Sequence, residues 1–385
     1  MTRLIGNPDA FPILRRWNFL NHAAVSPLPA AAGEAFRRYA NQAESAAYLE
    51  AGWYRQVGQL RASAARLINA SPDEIALVKN TSEGLATVAG GLDWHPGDRI
   101  VTTAVEYPAN IYPWMDLQKR LGVELVMVGE QDMPDGSRAV PTHAILDAAS
   151  HPRTRLLTLS HVQYATGQRH DLAAIGRFCR ERNILFCVDA IQSLGALPVD
   201  VAAMNIDYLS ADGHKWLLGP EGAGIFYCRR DLLPSTRPPL IGWMNVIHAE
   251  DFGHYDFTLK PDARKFECGS WNIPGFLALS GSLDLLLSTG IDAIRARVRQ
   301  ITDRLVVGLQ AAGHRVISPR DGDQDSGIVS FIVPGHDPRR LLGDLRHNHR
   351  IELALREGRL RASPHFYNTE PQIDQLLAAL PRPRA

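Results

Sequence analysis

Val188–Val201 reads V-D-A-I-Q-S-L-G-A-L-P-V-D-V, and after a short gap Ile206–Pro220 reads I-D-Y-L-S-A-D-G-H-K-W-L-L-G-P. The apolar run Ile184–Val188 is predicted to be a buried strand, closed by Asp189. An acid at the carboxyl end of such a strand lies where open α/β sheets bind their ligands. Ile206–Ser210 is predicted as the next short strand, and it runs directly into Ala211-Asp212-Gly213-His214-Lys215. Trp216, Leu217 and Leu218 follow the lysine, before a Gly-Pro turn. An amine in apolar company loses its proton more readily, which suits imine formation. Taken singly, each feature has an ordinary reading. The Asp can be a turn or cap residue, and a Lys beside Trp commonly lies along the surface with its head in water.

Together, the acid after one strand and the His-Lys after the next resemble the pyridoxal-phosphate site of the class V aminotransferase family, which includes cysteine desulfurases. The resemblance implies that Lys215 forms the imine with pyridoxal 5'-phosphate, that Asp189 faces the pyridine nitrogen and that Gln192 supports the ring hydroxyl. It implies an α/β fold of the aspartate-aminotransferase type (fold type I). That fold has a large domain with a mainly parallel sheet and a smaller α+β C-terminal domain. It also implies a homodimer with shared active sites.

Composition sets outer limits. A chain of 385 residues, 45% hydrophobic, can build a large core and two domains. Lys+Arg and Asp+Glu stand at 41 each, so no overall field favours nucleic acid or an anionic membrane. Cys179, Cys187, Cys228 and Cys268 lack metal-type spacing, and reduced, mostly buried thiols in a cytoplasmic protein are expected. Met1–Trp17 holds no apolar signal core, and no run approaches membrane-spanning length.

Strands are expected at Ile75–Val78, Arg99–Ala104, Leu125–Val128, Leu156–Ser160 and Gly222–Arg229. Helix patterns lie between several of them, the signature of a doubly covered parallel sheet. After Gly281 long amphipathic helices take over, with short strands at Ile328–Val333 and Ile351–Leu355 and a last helix over Pro371–Leu380. The large cofactor-binding domain is placed at 16–284 and the small domain at 285–385, with residues 1–15 left free to pack against the latter.

The remaining site candidates follow the same resemblance. Lys79-Asn80-Thr81-Ser82-Glu83-Gly84 joins a strand to a helix, and such a turn offers backbone N–H groups and the helix dipole to an anion. The family holds its cofactor phosphate there, through positions matched by Thr81 and Ser82. Tyr107, in the turn after the next strand, would stack on the pyridine ring; packing under the following helix is the alternative. His214 is expected to hold the phosphate or orient the lysine. Ser270 matches a hydroxyl that reaches the phosphate of the neighbouring subunit, with a helix cap as the alternative. Tyr164 stands next to the substrate where desulfurases often carry Asn, or else lies on the sheet edge. Asn21 and His22 are placed on the substrate side. The segment Arg359–Asn368 resembles the family's R-x-S-x-x-x-Y-N motif, so that Arg361 grips the substrate α-carboxylate and Arg359 is a solvated strand residue. Asp212 stands where desulfurases often have a small hydroxyl residue. A carboxylate would repel the phosphate, so Asp212 must turn away or be neutralised. The proline-containing run Pro234–Tyr255 is read as a long loop that could cover the site.

The implied partner is a small-molecule amino acid, with no nucleic acid and no membrane. Its amine would displace Lys215 from the cofactor, and the freed Lys215 would remove the Cα proton. Desulfurases add a cysteine on a loop shortly before the carboxylate-binding Arg. Here Arg356, Glu357 and Gly358 reach Arg361 too soon for that loop, and no cysteine follows Cys268. Ordinary desulfurase activity is therefore not expected; among the remaining reactions the family resemblance implies amino-group transfer first, with C–S β-elimination close behind and epimerisation after it. A catalytically silent binding protein of the same fold is the non-enzyme alternative. The full set of Lys215, Asp189 and Arg361 counts against it.

Overall fold

The computed structural model describes residues 1–50 and 52–384. Seven strands form the main sheet: β1 (Ile75–Val78), β2 (Arg99–Thr103), β3 (Glu124–Val128), β4 (Thr154–Ser160), β5 (Leu185–Asp189), β6 (Tyr208–Asp212) and β7 (Gly224–Cys228). Their order is β1-β7-β6-β5-β4-β2-β3, parallel except for β7, which runs antiparallel to both its neighbours. Apolar side chains project from both faces. Leu157, Phe186, Leu209 and Ile225 enter one buried cluster, while Leu156, Cys187, Tyr208 and Phe226 enter another on the opposite side. Such two-sided strands belong inside a doubly covered sheet.

Ten α-helices are described: α1 (Ala30–Ser45), α2 (Trp53–Leu67), α3 (Thr81–Gly91), α4 (Tyr112–Leu121), α5 (Thr142–Ala149), α6 (Leu172–Glu181), α7 (Ile273–Thr289), α8 (Ile291–Ala311), α9 (Pro338–His349) and α10 (Glu370–Ala379). Helices α3 and α4 pack on one face of the sheet, through Leu85, Val88, Trp114 and Leu117. Helices α2, α5, α6 and α7 cover the other, through Leu60, Ile145, Ile175 and Leu283. Gly290, at φ +87°, turns α7 into α8, and the two axes differ by 82°. No single helix among the described residues is long and apolar enough to cross a membrane.

A second, antiparallel sheet contains β8 (Arg315–Val316), β9 (Val329–Ile332), β10 (Ala354–Arg356) and β11 (Arg359–Ala362), in the order β8-β9-β11-β10. Its core joins Phe331 and Leu360 to Ile301 and Leu305 of α8, Leu345 of α9 and Ile373 of α10. The N-terminal piece Asn18–Phe19 pairs in parallel with Ile351–Glu352, and Asn21 bridges to Ser363, so the start of the chain is stitched beside this sheet.

Three expectations change. The β6 strand begins at Tyr208 rather than Ile206 and extends through Asp212, because pairing with Cys187–Asp189 and with Gly224–Cys228 selects those residues. Arg359 is buried rather than solvated, since β11 lies between β9 and β10. No residue of the run Pro234–Tyr255 lines the cleft of its own chain described below: the Arg237 N–H donates to Gly91 O at 2.9 Å, at the C-terminal end of α3, whereas that cleft opens at the N-terminal end of α3.

One buried ion pair ties α2 to the edge of the main sheet. Arg61 Nη1 lies 2.6 Å from Glu267 Oε1 and donates to Ile75 O, while Glu267 also accepts from Leu77 N and Trp271 Nε1. Removing one partner of such a pair strands the other charge out of water. We expect Arg61→Ala to destabilise the fold by roughly 3–5 kcal/mol, read as a lowered urea midpoint. A change below about 1 kcal/mol, the scale of an exposed pair, would show that Glu267 is relieved by solvent.

Candidate active site

The parallel register aligns Ser160 and Asp189, at the carboxyl ends of β4 and β5, with Ser210 in the middle of β6. Beyond this row lies a cleft of about 290 Å³. Asp189 and Lys215 both line it, almost wholly buried. Burial pushes the Asp189 carboxyl above its usual range, the Ile191 N–H (3.0 Å) opposes this, Glu106 adds to it and Lys215 counters it. Burial likewise lowers the Lys215 amine, against the pull of Asp189 and with the repulsion of Arg361. Each charge thus relieves part of the other's desolvation.

The turn carrying Lys215 is fixed from several sides. Ser26 donates its hydroxyl to Lys215 O (2.6 Å) and its N–H to His214 O (2.7 Å). Trp216 Nε1 donates to Gln192 Oε1 (2.9 Å), and Gln192 Nε2 donates to Ala23 O (3.0 Å). Gln192 lines the cleft with one amide N–H still to offer. Gly195, at φ +97°, lies against Trp216 O, where a Cβ would come within 2.1 Å.

Opposite this turn stands the start of α3. Asn80 caps it by accepting from Glu83 N (2.9 Å), which leaves the N–H groups at Thr81 and Ser82 without intrahelical carbonyls to reach. Thr81 is locked to β6: its Oγ1 accepts from Asp212 N (3.0 Å) and its carbonyl from Ser210 Oγ (3.1 Å). Gly84 makes this approach possible, because a Cβ there would lie 2.2 Å from Ser210 Oγ. Asp212 lines the cleft: its Oδ1 accepts from Gly213 N, and His214 Nδ1 stands 2.9 Å from its Oδ2, off the hydrogen-bond direction.

The roof is aromatic. The Tyr107 ring lies 5.4 Å from Lys215 Nζ and meets Tyr164 edge-to-face at 5.4 Å. The Tyr164 hydroxyl donates to Glu357 (2.9 Å) and its carbonyl accepts from Arg361 Nη1 (2.6 Å). Burial, with Glu357 beside it, raises the Tyr164 hydroxyl to about 12. Arg361 is 1% exposed, and its Nε and Nη2 have no partner among the described residues, which leaves two directed donors for an anion. Burial, helped by Arg356, lowers its guanidinium to about 9.

Three sequence candidates fall outside the cleft. His22 is bonded at both ring nitrogens, to Ser363 O (2.8 Å) and the Tyr367 hydroxyl (2.6 Å), and burial drives its pKa well down. Asn21 donates to Glu352 and Leu353 beside the smaller sheet. The following residues, Ala23–Val25, line the cleft in their place. Ser270 is exposed and does not line the cleft of its own chain. One residue was missed: Glu106, buried, accepts from Thr103, Asn110, Gln163 and both the N–H and hydroxyl of Ser160. It fixes the turn under Tyr107 to the row that contains Asp189. Its only sequence signal was an acid between a strand and a proline turn.

A buried acid, an amine, an aromatic roof and a helix N-terminus surround a space suited to a flat heterocycle bearing an anion. The class-V aminotransferase profile matches residues 18–376. The chain belongs to the class V aminotransferase family. It is a pyridoxal-phosphate-dependent enzyme of fold type I. Among similar proteins is a probable cysteine desulfurase of Methanothermobacter thermautotrophicus, 34% identical over 95% of this chain and 94% of that one. An isopenicillin N epimerase of Streptomyces clavuligerus is 32% identical over 94% and 93%. The cystine C–S lyase C-DES, solved with glycine covalently linked to its pyridoxal-phosphate cofactor, superposes with a TM-score of 0.89 at 27% identity, covering 97% of this chain and 98% of that one.

Two outcomes test the class V site. Gly84→Ala should weaken pyridoxal-phosphate binding by roughly tenfold or more, because the added methyl pushes the first turn of α3 off β6; unchanged affinity in a titration of cofactor-free protein would remove α3 from the site. The neutral amine is the reacting form of Lys215, so its lowered pKa should let it be acylated in cofactor-free protein below the ordinary lysine range near pH ~10.4. Peptide mapping after labelling across pH reads this, and a Lys215 profile matching the exposed lysines would contradict it.

Proposed function

We propose that this class V enzyme removes the Cα proton of an amino acid with Lys215 and transfers the amino group. The observation that carries the choice of reaction is the turn Glu357–Gly358, whose positive φ values (+49° and +75°) close β10 directly onto β11. No chain remains there to carry a thiol over the cleft before Arg361. Cys179, Cys187 and Cys228 are buried with raised pKa values, and Cys268 does not line the cleft.

Bound pyridoxal phosphate supplies an electron sink conjugated to Cα. The N–H groups of Thr81 and Ser82 would hold its phosphate, and Asp189 would hold a proton at its ring nitrogen. Arg361 receives the α-carboxylate on its two unpartnered donors. Lys215 is the only amine lining the cleft among the described residues, and amino-group transfer needs a single base that moves a proton on one face. C–S β-elimination uses the same base and needs only a leaving group. The likeness to the C–S lyase supports it as the second reading. The proposal includes a cytoplasmic homodimer in which Ser270 serves the neighbouring subunit's phosphate.

The deciding experiment offers amino acids and S-substituted cysteines, then scores keto acid with the cofactor's amine form against pyruvate with ammonia. Persulfide on any cysteine during turnover would overturn the proposal. Arg361→Ala should lower kcat/KM for amino acids by roughly 100-fold and leave the corresponding decarboxylated amine nearly unaffected. Equal losses for both would make Arg361 a structural residue.

A further inference from the structure

Tyr164 stands in the loop after β4 of the large sheet, yet both of its hydrogen bonds go to one hairpin of the smaller sheet. Its hydroxyl donates to Glu357 Oε1 (2.9 Å), in the turn between β10 and β11, and its carbonyl accepts from Arg361 Nη1 (2.6 Å), on β11. Among the described residues Tyr164 makes no third hydrogen bond. For Arg361 the contact is equally exclusive. Tyr164 O is the one acceptor its guanidinium finds among the described residues, while Nε and Nη2 stay unpartnered. Those two donors share one edge of a rigid plane, so fixing Nη1 sets where that edge points. Pairing with β9 and β10 holds the backbone of Arg361, but a long side chain still has to be aimed.

Glu357 acts from outside: it is exposed and does not line the cleft. It lies at φ +49°, a conformation that glycine or asparagine adopts at less cost. The turn alone therefore does not call for a glutamate. One carboxylate oxygen is turned back to Tyr164, and the other lies 4.0 Å from Arg359 Nη1. We propose that Tyr164 and Glu357 form a clasp between the two sheets that aims the Arg361 guanidinium. Both are positioning residues. Glu357 holds the Tyr164 ring, the ring steadies its own peptide, and the peptide carbonyl holds Nη1 so that Nε and Nη2 face an arriving α-carboxylate. This rests on the assignment of Arg361 to the α-carboxylate above and adds the residues that set its direction.

The test uses cofactor-loaded enzyme and two amines that lack a Cα proton. These are 2-aminoisobutyrate and tert-butylamine, which has a methyl in place of the carboxylate. Dissociation constants are read from cofactor absorbance, without turnover. Glu357→Ala should weaken 2-aminoisobutyrate by roughly tenfold, the low end for a hydrogen bond to a charged group because the site is exposed. Its affinities for tert-butylamine and for the cofactor should not change. Glu357→Gln keeps an acceptor for the Tyr164 hydroxyl but not the charge beside Arg359, and it should recover most of the loss. Tyr164→Phe should match Glu357→Ala, and the double variant should lose no more than either alone. Additive losses, an equal loss for both amines, or a Gln variant as weak as the Ala variant would overturn the clasp. If wild-type enzyme does not prefer 2-aminoisobutyrate to tert-butylamine, the carboxylate reading of Arg361 falls and takes the clasp with it. A preference that survives both single substitutions leaves that reading intact and removes only the clasp.

Discussion

A carboxylate and an amine buried in one cleft, each offsetting the other's loss of water, set the terms for the rest of this structure. Either group alone would neutralise on burial. Together they demand a rigid frame, because the balance depends on their separation. The parallel register supplies it: Ser160, Asp189 and Ser210 lie level, and Lys215 follows a few residues beyond Ser210 on a turn pinned by Ser26, Gln192 and Gly195. Helix α3 is keyed to the same row through Thr81 and Gly84, and the Tyr107 turn through Glu106. The places proposed for the cofactor ring and phosphate, and the aromatic roof, are thereby referred to one line of backbone.

Much of this was legible in the residues. The apolar strands with helices between them announced a doubly covered sheet, and Asp189 and Lys215 stood after consecutive strands as α/β ligand sites require. The phosphate turn, Tyr107, Tyr164, Gln192, His214 and Arg361 do meet at one cleft. What failed has a common cause. Asn21 and His22 look polar and available in sequence, but parallel pairing of Asn18–Phe19 with Ile351–Glu352 turns them into the smaller sheet. Arg359 reads as a surface charge only until β11 is known to be an inner strand. Glu106 drew no attention because its importance lies in what faces it across long sequence separations, and periodicity carries no such information.

The two sheets also divide the labour unevenly. The large sheet holds every group assigned to the cofactor except the exposed Ser270. The smaller one contributes Arg356 and Arg361, from adjacent strands of one hairpin. On the roles proposed above, the groups for the cofactor and for the substrate carboxylate stand on separate sheets that share a cavity.

The turn Glu357–Gly358 makes that separation unusually easy to exploit. It joins strands whose pairing, Leu355 with Leu360 and Ala354 with Arg361, is already secured by the sheet. Lengthening a connection several-fold adds only about 1–2 kcal/mol of closure entropy, and Gly358 has open space around it. This turn is therefore an exchangeable part. Segments of different length can be spliced above the same cofactor bed, and the architecture below is indifferent to whether the segment brings a thiol, an acid or nothing at all.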